Sequence, residues 1–158
     1  EIKFISSRSP CPHITLESDF EVLNHKLFKS RLSVFCKTQP SFFLDARGLG
    51  IFVVDSPVIY IRWRKNNNLN LLKNDLSDFL ELAQKDRIIN NYSVVEDWVP
   101  KTTLAYNDSK YECLGDIIQL LRFDEFKDSM KVRSISLYEY SNELGEKNLD
   151  KFYFNSYS

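Results

Sequence analysis

The sequence predicts an α+β domain whose two halves contain similar segments, and three observations lead to this fold class. Segments with the strand period of two are interspersed with segments whose apolar residues recur every three or four positions, as in helices. Gly, Pro and Asn mark the boundaries between these segments. Finally, residues 12–16 (Pro-His-Ile-Thr-Leu) and residues 100–104 (Pro-Lys-Thr-Thr-Leu) resemble each other, and each segment precedes a predicted helix.

The first half is predicted to begin with two strands and a helix. We expect a short strand at residues 2–5 and a second strand at residues 12–17. Ser18 or Asp19 is predicted to cap the following helix, because their side chains accept hydrogen bonds from free backbone N–H groups. The apolar spacing extends this helix to about residue 37.

Strands are predicted for the middle of the chain. Residues 41–46 are expected to form one strand, and Gly48 and Gly50 are expected to bracket a tight connection after it. A hairpin then follows, formed by residues 51–54 and 57–64, since the sequence between them favours a turn.

The second half contains the clearest helix of the sequence, and its apolar face predicts a core. A strand and loop are expected at residues 86–97, a strand at 101–106, a helix near 111–121, and closing strands at 131–140 and 151–155. The apolar face of the clearest helix consists of Leu69, Leu72, Leu76, Phe79, Leu80 and Ala83.

Length and composition are compatible with one domain, residues 1–158, with 43% hydrophobic residues available for its core. The net charge of −1 provides no global attraction for nucleic acid or a membrane, so an anion site has to be local. No apolar run approaches the roughly 20 residues that span a bilayer. Three widely spaced cysteines without a C-x-x-C pair favour reduced thiols, a cytoplasmic location and no metal site.

The two similar segments, residues 12–16 and 100–104, each carry two polar residues that are two positions apart. Residues two apart in a strand point to the same face, so His13 shares a face with Thr15, and Lys101 shares a face with Thr103. Thr102 should then point to the opposite side of its sheet. If the two strands lie side by side, an imidazole, an ammonium and two hydroxyls converge, and these groups can hold a phosphate and move a proton.

On these residues the chain resembles the 2H phosphoesterase superfamily, which includes 2′-5′ RNA ligase-like proteins and cyclic phosphodiesterases. The superfamily is marked by two H-x-T/S motifs on the central strands of two lobes. Residues 12–16 match the first motif, and residues 40–60 resemble the section between the motifs, including Gly-Leu-Gly-Ile-Phe at 48–52. Residues 98–105 match the second motif except that Lys101 replaces the histidine.

The resemblance implies two pseudo-symmetric lobes whose antiparallel sheets form a central cleft, with helices packed outside. It implies a metal-independent phosphodiesterase without a cofactor, acting on RNA ends, 2′,3′-cyclic phosphates or 2′-5′ linked nucleotides. Its partner would be RNA or a small nucleotide with a phosphodiester, and not a membrane. By the same resemblance, His13 is a catalytic imidazole, Thr15 and Thr103 hold phosphate oxygens, and Lys101 stands in the second catalytic position.

The lysine changes what the second position can do. A lysine with a pKa near 10.4 is almost always charged, so Lys101 can attract phosphate, stabilise developing charge or protonate a leaving oxygen. It serves as a base only if its pKa is lowered greatly. We therefore expect His13 to act as the base and Lys101 to take either the acid role or an electrostatic role. The alternatives are a catalytically impaired domain that binds RNA or nucleotide without turnover, and an interaction scaffold.

Other side chains are candidates for substrate binding. Tyr60 and Arg62 share one face of their predicted strand, where arginine can bind phosphate and tyrosine can stack on a base. The alternative for Arg62 is a solvated residue at the end of the strand. Trp98 closely precedes the second motif and is either a wall for a nucleobase or a core residue. His25 lies among polar neighbours within the first predicted helix and is interpreted as a surface residue.

Overall fold

The structure, a computed structural model, has an α+β fold in which antiparallel strands pair into sheets. This confirms the predicted fold class. The strand expected at residues 2–5 lies outside the described part of the chain. The structure describes residues 12–18, 20–53, 57–84, 88–90, 98–106, 111–122, 126–141 and 145–155.

Eight strands and three α-helices are found in the described residues, and they form one four-stranded and two two-stranded sheets. Their bounds are β1 Phe20–Val22, α1 His25–Thr38, β2 Phe42–Phe52, β3 Val58–Trp63, α2 Asn67–Gln84, β4 Ile88–Asn90, β5 Lys101–Tyr106, α3 Leu114–Leu121, β6 Ser129–Val132, β7 Ser134–Ser141 and β8 Gly145–Tyr153. The larger sheet has the order β5-β3-β2-β6, while β1 pairs with β4 and β7 pairs with β8.

The core lies between α1, α2 and the strands, as the apolar period of α2 predicts. The predicted face of α2 is confirmed, since five of its six residues are buried and Phe79 packs against the core. Among the described helices, none is both long and apolar enough to cross a membrane. The buried core residues are Phe28, Leu32, Cys36, Phe42, Leu44, Ala46, Trp63, Leu69, Leu72, Leu76, Leu80, Ala83, Leu137 and Phe154.

Helix α1 begins later than its sequence pattern indicates. The prediction of a cap at Ser18 or Asp19 is wrong, because Asn24 caps the helix and its Oδ1 accepts a hydrogen bond from the Leu27 N–H at 3.1 Å. Phe20 belongs to β1 and pairs with β4. A polar cap and a distant strand partner therefore set the boundary here, and apolar spacing alone reveals neither.

The two glycines of β2 do not form a connection, so the predicted break at this point is wrong. Strand β2 continues from Phe42 to Phe52, and its register against β3 shifts between Ala46 and Leu49. Gly48 takes a φ of +79° at this irregularity, a conformation that glycine adopts without a Cβ penalty. Gly48 therefore lies at a bulge within one strand.

Gly50 has a different structural reason, because the ring of Tyr60 lies against it. A Cβ on Gly50 would lie 2.6 Å from the Tyr60 hydroxyl oxygen and closer still to the ring carbons. We expect Gly50→Ala to lower the free energy of unfolding by about 1–3 kcal/mol, the usual effect of overpacking. Urea denaturation measures the change.

Gly115→Ala is the matched control, because nothing lies within 4 Å of a Cβ at this exposed position of α3. It should leave stability unchanged or raise it, since alanine favours a helix more than glycine does. Equal destabilisation by both substitutions would contradict a role for the Tyr60 contact.

The C-terminal strands differ in extent from their prediction. The single strand expected at residues 131–140 is two strands, β6 and β7, separated at Arg133. Strand β6 continues the large sheet beside β2, whereas β7 forms a hairpin with β8. Residues 131–140 are thus divided between two sheets, and an alternating pattern does not show where one strand ends and the next begins.

Candidate functional site

The second motif forms an edge of the four-stranded sheet, and the predicted strand at 101–106 is confirmed as β5. Lys101 lies opposite Arg62, and Thr103 lies opposite Tyr60, in the antiparallel register of β5 and β3. Residues paired in this way point to the same face of a sheet. The structure therefore brings these four predicted site residues together on one face.

The opposite face of β5 belongs to the core, as predicted for Thr102. This residue is buried, and its hydroxyl accepts a hydrogen bond of 2.9 Å from the indole N–H of Trp63. The Trp63 backbone N–H also donates to the Pro100 carbonyl at 3.0 Å. These contacts fix the start of β5 and with it the direction of the Lys101 side chain.

Lys101 is half-buried, and its ammonium donates a hydrogen bond of 3.2 Å to the Thr103 hydroxyl. Burial lowers the pKa of Lys101 from its ordinary value of 10.5, because desolvation disfavours the charged form. A lysine with a lowered pKa gives up its proton more readily than an exposed one. Lys101 can therefore give a proton, and the Thr103 hydroxyl can form a hydrogen bond, to the same ligand group.

The two candidate binding residues on β3 differ in their exposure. Arg62 is exposed, and its Nε donates to the Arg47 carbonyl at 3.3 Å, which orients the guanidinium. Tyr60 is only 7% exposed, and its ring packs against Phe52 with 4.5 Å between centroids. Tyr60 thus has a packing role in this structure, and its stacking on a nucleobase stays a prediction.

The first motif is not a strand, so the expectation for residues 12–17 is wrong. The described segment 12–18 belongs to neither a helix nor a strand. His13 is partly buried, and its ring stacks on Tyr138 of β7 with 5.4 Å between centroids and 26° between planes. Thr15 is exposed.

Side chains from distant parts of the chain hold this segment, which explains why it needs no strand partner. The Trp98 indole N–H donates to the Thr15 carbonyl at 3.1 Å. The Lys73 ammonium donates to the Leu16 carbonyl at 3.0 Å. These two donors satisfy backbone carbonyls that a neighbouring strand would otherwise satisfy.

Trp98 connects the two motifs in space as well as in sequence. It lies three residues before Lys101 and bonds to Thr15, and its ring packs partly against the core. The ammonium groups of Lys65 and Lys73 lie 5.7 Å and 5.2 Å from its ring centroid, within cation–π range. A structural role for Trp98 is therefore shown, while its role as a nucleobase wall stays a prediction.

Sequence reasoning missed Lys73 and Ser77 of α2 and Tyr138 of β7. Lys73 and Ser77 are four positions apart and border the apolar face of α2, so they point towards packed chain rather than solvent. Their position beside the apolar face of α2 was the feature of the sequence that could have identified these two residues. Tyr138 gave no comparable signal, because its contact with His13 depends on the tertiary fold.

His13 and Thr15 are thus placed by β7 and Trp98, whereas Lys101 and Thr103 are placed by the large sheet. Their joint action on one phosphate stays a prediction. His25 is exposed at the start of α1, as expected. Within the described ranges, no group of three or more His, Cys, Asp or Glu side chains is placed to hold a metal ion.

Comparison with known proteins identifies a similar fold. No protein-family model matches the sequence, and no curated protein matches it. The crystal structure of TT0787 of Thermus thermophilus is similar, with a TM-score of 0.57 and 15% identity over 93% of this chain and 80% of that chain. At this identity the likeness concerns the fold alone.

Proposed function

We propose that this chain is a metal-independent phosphodiesterase of the 2H type, acting in the cytoplasm on RNA ends, 2′,3′-cyclic phosphates or 2′-5′ linked nucleotides. The observation that carries the proposal is the contact between the Lys101 ammonium and the Thr103 hydroxyl. It lies on the sheet face of Arg62, at the place where the second motif predicts a phosphate site. The likeness of the first motif to the superfamily supports the same assignment.

Each group has a role that fits its chemistry. The hydroxyls of Thr15 and Thr103 donate to the non-bridging phosphate oxygens. His13 takes the proton of the attacking water or hydroxyl, since imidazole is a base near neutral pH. Lys101 attracts the phosphate and protonates the leaving oxygen, and its lowered pKa favours this transfer. The exposed Arg62 guanidinium adds a donor for a second phosphate oxygen.

The second candidate is a domain that binds RNA or nucleotide without turnover. The lysine in the second motif favours this alternative, because loss of a general acid or base reduces rates by about 10²- to 10⁴-fold. The two candidates share the phosphate site and differ only in catalysis.

Hydrolysis of 2′,3′-cyclic nucleotides and 2′-5′ linked dinucleotides, in the presence of EDTA, tests the proposal. We expect His13→Ala to reduce the rate by about 10²- to 10⁴-fold, because it removes the base. His25→Ala is the matched control, since His25 is exposed on α1 and is the other histidine of the chain.

A rate of hydrolysis in His13→Ala equal to that of the wild-type protein would contradict the enzymatic proposal. Nucleotide binding without any turnover by the wild-type protein would favour the second candidate. Binding should weaken as the salt concentration rises, because phosphate contacts displace counterions.

A further inference from the structure

The segment that carries His13 is attached to helix α2 by a charged pair. The Lys73 ammonium lies 2.7 Å from Glu17 Oε1, and the same oxygen accepts a hydrogen bond of 2.7 Å from the Ser77 hydroxyl. Lys73 also donates to the Leu16 carbonyl. One helix thus holds two consecutive residues of the segment, beginning three positions after His13.

The pair is shielded from solvent, which makes it more than a surface ion pair. The side chain of Lys73 is 21% exposed and that of Glu17 is 10% exposed. Exposed pairs contribute little, whereas removal of one partner of a buried pair leaves the other charge uncompensated. Loss of Lys73 should therefore weaken the attachment of Glu17 and the residues next to it, although the Ser77 hydrogen bond to Glu17 remains.

We propose that Lys73 is a positioning residue for His13, acting through Glu17 and the Leu16 carbonyl. It keeps the segment against α2 and so holds the imidazole on Tyr138. The effect on catalysis rests on the proposed function, whereas the effect on the position of His13 does not.

Lys65 provides the control, because it shares one contact with Lys73 and lacks the others. Both ammonium groups lie near the Trp98 ring, at 5.7 Å and 5.2 Å from its centroid. The ion pair with Glu17 and the hydrogen bond to the Leu16 carbonyl come from Lys73, while Ser77 adds a hydrogen bond to Glu17. Comparing Lys65→Met with Lys73→Met therefore separates the attachment of the segment from the loss of a cation near Trp98.

The NMR signals of the two imidazoles report the position of His13 without any substrate. Stacking on Tyr138 shifts the His13 signal by ring current, and the exposed His25 is an internal reference. In Lys73→Met the His13 signal should move towards that of an unstacked histidine, while the His25 signal stays. Lys65→Met should leave both signals in place. Lys73→Arg keeps the positive charge and should therefore retain most of the shift that Tyr138 causes in the wild-type His13 signal.

An unchanged His13 signal in folded Lys73→Met would overturn the proposal, as would an equal change in Lys65→Met. If Lys73→Met does not fold, Glu17→Gln replaces it, since it removes the charge and keeps the shape. The His13 shift should then decrease in Glu17→Gln, and an unchanged shift would again overturn the proposal.

If the wild-type protein hydrolyses substrate, steady-state kinetics provide a second measurement. Displacement of a catalytic group by about 1 Å can reduce the rate by about 10²-fold, so kcat should fall by up to this factor in Lys73→Met while KM changes little. A rise in KM with constant kcat would contradict a positioning role. If the wild-type protein shows no turnover, the phosphodiesterase proposal fails while the NMR result still decides the role of Lys73.

Discussion

Lys101→His is expected to raise the rate of 2′,3′-cyclic nucleotide hydrolysis by about 10²- to 10⁴-fold, the usual contribution of a general acid or base. The substitution places an imidazole on the sheet face that already carries Thr103 and Arg62. Imidazole changes its protonation state near neutral pH and therefore transfers protons more effectively there than a lysine. Steady-state kcat for the two proteins measures the effect.

The pH dependence provides a separate check on the same substitution. The wild-type rate should fall as the pH rises through the pKa of Lys101, because the protonated form is the acid. Burial lowers this pKa, so the alkaline limb should begin below that of an exposed lysine. In Lys101→His the limb should move to still lower pH, since the ordinary pKa of histidine is about 6.5.

Lys131→His is the matched control, because Lys131 is an exposed strand lysine in β6, at the other edge of the same sheet. It should change neither the rate nor the pH profile. A rate in Lys101→His no higher than that of the wild-type protein, with this control unchanged, would contradict the acid role of position 101.

Leu44→Ala is expected to lower the free energy of unfolding by about 2–5 kcal/mol. Leu44 has 0% exposure near the start of β2, within the core formed by α1, α2 and the sheet. Its truncation removes apolar contacts and leaves a cavity that the surrounding strands and helices fill only partly. Urea denaturation should show a lower midpoint with an unchanged slope.

Leu82→Ala controls for the same chemical change outside the core. Leu82 is 67% exposed on α2, so its truncation should alter stability by no more than about 0.5 kcal/mol. Equal losses in the two variants would contradict the placement of the core on the inner face of β2.

Local patterns predicted the elements whose environment follows from the period of the sequence. The apolar face of α2 repeats every three or four residues and packs against one side, so its buried residues follow from spacing. The first residues of β5 alternate between the core and the candidate site, as predicted from Thr102 and Lys101. Beyond Thr103 the burial of β5 departs from alternation, where its register against β3 shifts. One side of α2 and of the start of β5 is buried in the core, and this one-sided burial imposes the period that the sequence shows.

The errors occurred where distant contacts outweigh local preference. Residues 12–18 alternate like a strand, yet donors from Trp98 and Lys73 satisfy their carbonyls. The glycines of β2 resemble a turn, but one accommodates a bulge and the other a tyrosine ring. Contacts across 56 or more positions decide the course of residues 12–18, and no local window of sequence contains them.

The α+β class and the core face of α2 follow from the sequence alone, because both depend on the spacing of apolar residues. The half-burial of Lys101 beside Thr103 and the stacking of His13 on Tyr138 depend on the packing of the whole chain. Residue identity sets the chemistry that a side chain can perform. Burial and partners set its pKa and position, and both depend on residues far away in the chain.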